Sequence, residues 1–70
     1  MKNIVAELRK EKGISQTELA DAVKVTRQSI TSIETEKYTA SLELAHKIAR
    51  YFKKKIEDIF IFEEVEQVND

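Results

Sequence analysis

"QTELADAVKVTRQSITSI", residues 16–33, decides how this chain folds. Two short helices fit it, about Gln16–Val23 and Thr26–Glu34, with only Lys24 and Val25 between them. Helices joined so briefly must cross sharply, and three positions permit it. Ala20 is small where the helices approach most closely, Val25 anchors the turn, and Ile30 packs back onto the first helix. With Leu19, Val23 and Ile33 these residues form one apolar face, at helical spacing on both sides of the turn. Arg27, Gln28, Thr31 and Ser32 then fall together on the opposite side of the second helix.

The start signals agree. Ser15-Gln16-Thr17-Glu18 is a capping box, in which the Ser15 oxygen takes the Glu18 N–H and Glu18 reaches back to the Ser15 N–H. Thr26 is the next cap. Outward from this centre, Asn3 is expected to cap a first helix carrying the stripe Ile4, Val5 and Leu8, and Gly13 to end it in a left-handed conformation. Thr35–Ala40 reads as a polar loop. Ser41 caps a fourth helix whose inward stripe is expected to be Leu42, Ala45, Ile48, Ala49 and Phe52. Lys53-Lys54-Lys55 breaks that stripe, and a short fifth helix follows with Ile56, Ile59 and Phe60 inward. Beyond it, Phe60-Ile61-Phe62-Glu63-Glu64-Val65 has no helical period, so a short strand or irregular arm fits as well as a helix extension. The fold expected is all-α with five helices. Residues 1–62 would form one domain and residues 63–70 an acidic tail.

Composition narrows the function. The 70 residues contain no cysteine and one histidine, which leaves neither a disulfide nor a thiolate metal site. His46 reads as a helix surface residue, not a metal ligand. Ser41 and His46 lie nearly half a turn apart in direction with no third group, so nucleophilic catalysis has no basis and no enzyme is expected. No Gly-rich phosphate loop is present, and neither a cofactor nor a small-molecule ligand is implied. No apolar run approaches the roughly 18 to 20 residues that span a bilayer, and residues 1–4 lack a signal-peptide pattern, so a cytoplasmic protein without a membrane partner is expected. The formal net charge of −1 hides an asymmetry. Residues 56–70 carry six acidic and no basic side chains, whereas residues 1–55 hold 12 basic against 7 acidic. The body is basic and the end is acidic.

The stretches "LRKEKGISQTELA", "VTRQSITSIE" and "KYTASLELAHKIA", with the "IEDIF" ending, resemble the XRE-type, or Cro and lambda-repressor-like, helix-turn-helix family over about residues 3–62. The resemblance is to its short, stand-alone members. It implies a prokaryotic or phage regulator of transcription, a repressor before an activator. Such a protein binds a near-palindromic double-stranded DNA operator as a homodimer, with the third helix in the major groove and half-sites about 34 Å apart. By position it assigns base reading to Thr26, Arg27, Gln28, Thr31 and Ser32. The chemistry suits this: Arg pairs with guanine O6 and N7, Gln with adenine N6 and N7, and Thr methyls meet thymine. Phosphate contacts fall to Gln16, Lys37 and Tyr38, with Lys24 added because its amine stands where relatives often have Gly. Arg9 and Glu34 match a structural ion pair between the first helix and the end of the third. Thr35-Glu36 replaces the usual Asn-Gly, and Ala40 the usual Pro, so a differently shaped loop is expected there.

Four large apolar residues near the end, Phe60, Ile61, Phe62 and Val65, exceed what one short chain end usually hides. With Ile59 they are expected to form a two-fold dimer contact. An alternative reading gives this acidic, apolar end to a partner protein, as in the antitoxin half of a toxin–antitoxin pair.

Overall fold

A computed structural model describes residues 1–61. Five helices follow in order: α1 Val5–Lys12, α2 Gln16–Val23, α3 Arg27–Glu34, α4 Leu42–Phe52 and the single turn α5 Ile56–Ile59. The described residues contain no β-strand; one antiparallel bridge joins Asn3 to Phe60. Helix α2 packs on α3 and α4, α1 on α3, and α4 on α5. Leu19, Ala20, Ile30, Ile33, Ile48, Ile59 and Val5 are almost wholly buried at the centre.

Capping chemistry sets the helix starts. Ser15, Thr26 and Ser41 each accept a hydrogen bond from the backbone N–H three residues on, and the Ser15–Glu18 capping box is complete. Helix α1 starts differently. Its boundary residue is Ile4, without a side-chain cap, and Asn3 one residue earlier accepts from the Val5 N–H at 3.1 Å. Lys55 gives α5 no side-chain cap either.

One device ends the first four helices. Ile14, Val25, Lys37 and Lys54 each donate their N–H to the carbonyl five residues back, at 2.9–3.1 Å. The residue before each donor is left-handed: Gly13 (φ 75°), Lys24 (61°), Glu36 (66°) and Lys53 (60°). This is the usual helix-terminating turn. Glycine supplies it once; elsewhere a side chain occupies a conformation that costs about 1–2 kcal/mol for a residue with a Cβ.

Leu42 departs from the expected stripe. It is 80% exposed, and Leu44 at 7% fills the core instead. At 100° per residue, Leu42 lies about 90° round from the middle of the arc formed by Leu44, Ala45, Ile48, Ala49 and Phe52. It is also the first residue of α4. The chain end before Phe62 is equally specific: Ile4 N–H donates to Ile59 O at 3.0 Å and Ile61 N–H to Lys2 O at 2.9 Å. Asn3 Nδ2 donates to Ile33 O at 2.9 Å, tying this seam to the last turn of α3.

Candidate nucleic-acid interface

Helix α3 is held by its apolar side, where Ile30 and Ile33 are buried against α2 and α1. Its other side is polar. Arg27 and Gln28 are exposed, and their side chains make no hydrogen bond or ion pair among the described residues. Thr31 and Ser32 are half-buried on the same side. Thr26 is exposed, but its hydroxyl oxygen already accepts from Ser29 N at 3.2 Å and shares a hydrogen with Ser29 Oγ at 3.1 Å. Thr26, Gln28, Ser29, Ser32 and Tyr38 line one shallow groove, so the loop after α3 delivers Tyr38 to the same surface despite its altered sequence. Lys37 beside it is exposed.

A hydrogen-bonded chain runs beneath this surface. Arg9 Nε donates to Glu34 Oε2 at 2.8 Å and Arg9 Nη2 to Glu34 Oε1 at 3.2 Å, a two-pronged ion pair joining α1 to α3. Arg9 Nη1 also holds the Ile14 carbonyl at 3.0 Å. The hydrogen bond to Glu34 holds the guanidinium proton above its ordinary affinity; burial works against this and the opposite charge reinforces it. Gln16 Nε2 donates to Glu34 Oε1 at 3.0 Å, and Gln16 Oε1 accepts from Thr31 Oγ1 at 3.1 Å. Gln16 therefore spends both ends of its amide inward and keeps one Nε2 hydrogen.

Lys24 lies outside that shallow groove. It lines an open cleft with Lys47, Arg50 and Tyr51 over an apolar floor of Ala22 and Val23. Lys12 stands over the Tyr51 ring, 5.4 Å from its centroid. Lys47 also reaches Glu43 at 3.7 Å, an exposed pair of small energetic weight. Lys47 and Arg50 were not singled out from the sequence, although their three-residue spacing on one helix was the available signal. Of the residues expected at a dimer contact, Ile59 and Phe60 are enclosed within the protomer itself, because α4 and the seam with Asn3 cover them. Ile61 is 44% exposed, and Phe62 and Val65 lie outside the described residues.

An α2–α3 pair joined by Lys24, Val25 and Thr26, packed on α1 and α4 with a polar outer face, meets its match in known proteins. The family model described as helix-turn-helix matches residues 5–59. The chain belongs to the helix-turn-helix family. Curated relatives include an "uncharacterized HTH-type transcriptional regulator" of Methanothermobacter thermautotrophicus, 51% identical over 91% of this chain and 94% of that one. The YgzD regulator of Bacillus subtilis, likewise described as HTH-type, is 50% identical over 91% and 97%. The solved N-terminal DNA-binding domain of SinR from Bacillus subtilis superposes with a TM-score of 0.70. Its identity is 28%, over 76% of this chain and 78% of that one. This is the XRE-type fold, and the protein is a DNA-binding transcriptional regulator of that family, not an enzyme. Among the described residues no helix is long and apolar enough to cross a membrane, and no group of acidic or histidine side chains could hold a metal ion.

Proposed function

We propose that this regulator is a sequence-specific repressor that binds a near-palindromic operator as a homodimer. Helix α3 enters the major groove of each half-site. Thr26, Arg27, Gln28, Thr31 and Ser32 meet base edges there, while Gln16, Lys24, Lys37 and Tyr38 contact phosphates. The observation that carries the reading is the unpartnered Arg27–Gln28 pair at the start of a helix fixed on its other side by Ile30 and Ile33. Surface side chains this rich in hydrogen-bonding groups, on so rigid a mount, suit direct readout of base edges. Occupancy of an operator blocks transcription without any further contact, so repression is the simplest consequence.

The dimer is assigned to the end of the domain, with exposed Ile61 continuing into Phe62 and Val65; residues 63–70 form an acidic tail kept off the DNA by its charge. Sedimentation of the wild type and Ile61→Glu tests this: a dimer that the substitution dissociates supports it, and a wild-type monomer overturns it.

Selection of bound sites from random duplex DNA at low salt tests the rest. Enrichment of an inverted repeat is expected. Arg27→Ala should then lose about 1–3 kcal/mol and relax one base pair per half-site. Equal losses on operator and random DNA would refute base reading by Arg27.

A further inference from the structure

The chain of hydrogen bonds beneath α3 fixes the direction of the last hydroxyl in it. A carboxylate at neutral pH only accepts, so the Gln16 group 3.0 Å from Glu34 Oε1 is the NH₂ end of the amide. The oxygen end therefore faces Thr31 Oγ1 at 3.1 Å, and an amide oxygen also only accepts. The Thr31 hydroxyl must be the donor. Its alternative acceptor, the Arg27 carbonyl at 3.2 Å, belongs to the protein as well. A hydroxyl has one hydrogen, and here it is turned inward whichever acceptor takes it. Thr31 has only oxygen lone pairs left for a ligand. Neighbouring Ser32 differs: its hydroxyl has no partner among the described residues, and it can donate or accept.

Base pairs differ in what they show such an oxygen. In the major groove adenine and cytosine present amino hydrogens, at N6 and N4, while guanine O6 and N7 and thymine O4 are acceptors. We propose that Thr31 reads a base amino group, adenine N6 or cytosine N4, as an obligate acceptor, and that Gln16 is the positioning residue that sets this polarity. This inference rests on the DNA-binding reading above and deepens it at one position. Arg9 holds Glu34, Glu34 orients the Gln16 amide, and the amide orients the hydroxyl. Facing guanine or thymine, Thr31 opposes lone pair to lone pair, a mismatch expected to weaken binding on the order of tenfold. The remaining Gln16 Nε2 hydrogen is free for a phosphate oxygen, so the same amide serves backbone contact and base choice together.

The test is site selection from random duplex DNA, with affinities measured on the selected operator and its single-position variants. The proteins are the wild type, Thr31→Val, Thr31→Ser and Gln16→Met, each first checked by its melting curve. The wild type is expected to demand adenine or cytosine at one position per half-site. Thr31→Val, which keeps the shape and loses the oxygen, should level that position alone and weaken the best operator about tenfold, whereas Thr31→Ser keeps the preference. Gln16→Met leaves the Arg27 carbonyl at 3.2 Å as the hydroxyl's one inward acceptor, so the discrimination against guanine and thymine at the same position should narrow. A wild-type motif that Thr31→Val leaves untouched, or a levelled position that had preferred guanine or thymine, overturns the readout by Thr31. Levelling by Thr31→Val with an unaltered Gln16→Met motif overturns the positioning role alone. Failure of the wild type to enrich any motif sinks the sequence-specific reading above and this inference with it. Should Gln16→Met not fold, the Val and Ser pair still decides the readout.

Discussion

Replacing Glu34 by Ala removes the acceptor of three hydrogen bonds at once, two from Arg9 at 2.8 and 3.2 Å and one from Gln16 at 3.0 Å. The side chains concerned are only 14% (Arg9) and 6% (Glu34) exposed. The stranded guanidinium keeps one protein partner, the Ile14 carbonyl. Deleting one member of a fully buried pair costs about 3–5 kcal/mol. Arg9 lies near enough to the surface to recover some hydration, which lowers the expected cost to about 2–3 kcal/mol. In a domain of this size each kcal/mol moves the melting temperature by about 4–8 °C, so a fall of about 10–20 °C is expected. Thermal unfolding followed by far-ultraviolet circular dichroism measures it. The double replacement Arg9→Met with Glu34→Leu, which removes both charges, should recover most of the loss. Glu34→Ala melting within about 3 °C of the wild type would refute the view that this pair locks α1 to α3. Because the folded protein raises the Arg9 pKa, the arginine's contribution is present below its ordinary value and is lost only above it. The difference between wild type and Arg9→Met should accordingly stay flat from about pH 7 to pH 10.

Ala20 is 1% exposed where α2 meets α3, and Ala20→Leu should cost about 1–3 kcal/mol by overpacking; an unchanged melting temperature would show that the helices do not close on this residue. Glu36→Gly and Lys53→Gly relieve left-handed strain and should each add about 0.5–1 kcal/mol in denaturant unfolding, whereas a loss would mean that these side chains earn their strained places through other contacts. Leu44→Ala should cost about 2–4 kcal/mol and Leu42→Ala less than about 0.5, and the opposite order would put the wrong leucine in the core.

Much of the fold was legible because its signals are local. Ser15, Thr26 and Ser41 cap the N–H three residues on, a choice that depends on one side chain and its own backbone. Gly13 announces its turn by lacking a Cβ, and Lys24 could be placed by comparison with glycine in relatives. Glu36 and Lys53 adopt the same conformation with nothing in their chemistry to signal it. Leu42 and Leu44 are both leucines at the head of one helix. Periodicity alone does not say which of them overhangs the core. The inward commitment of Gln16 was beyond the sequence for a different reason. It depends on the angle at which α2 crosses α3, and that angle decides whether an amide at the start of one helix reaches a carboxylate at the end of the other. The enclosure of Ile59 and Phe60 likewise depends on a meeting with residues 3 and 4, far away along the chain.

That meeting makes the described chain a nearly closed ring. Residues 2–4 and 59–61 lie side by side, and Asn3 clips them to the Ile33 carbonyl. A ring can be opened elsewhere: a circular permutant that splices the two segments through a short linker and starts within residues 35–40 keeps every buried helix contact, since domains commonly tolerate new ends at exposed turns. The same closure makes amide exchange at Ile4 and Ile61 a single event, because the two protons are the rungs of one ladder. Tension applied to either segment reaches the last turn of α3 through one asparagine. Helix α3 is thus gripped at its carboxyl end by the seam that joins the chain to itself.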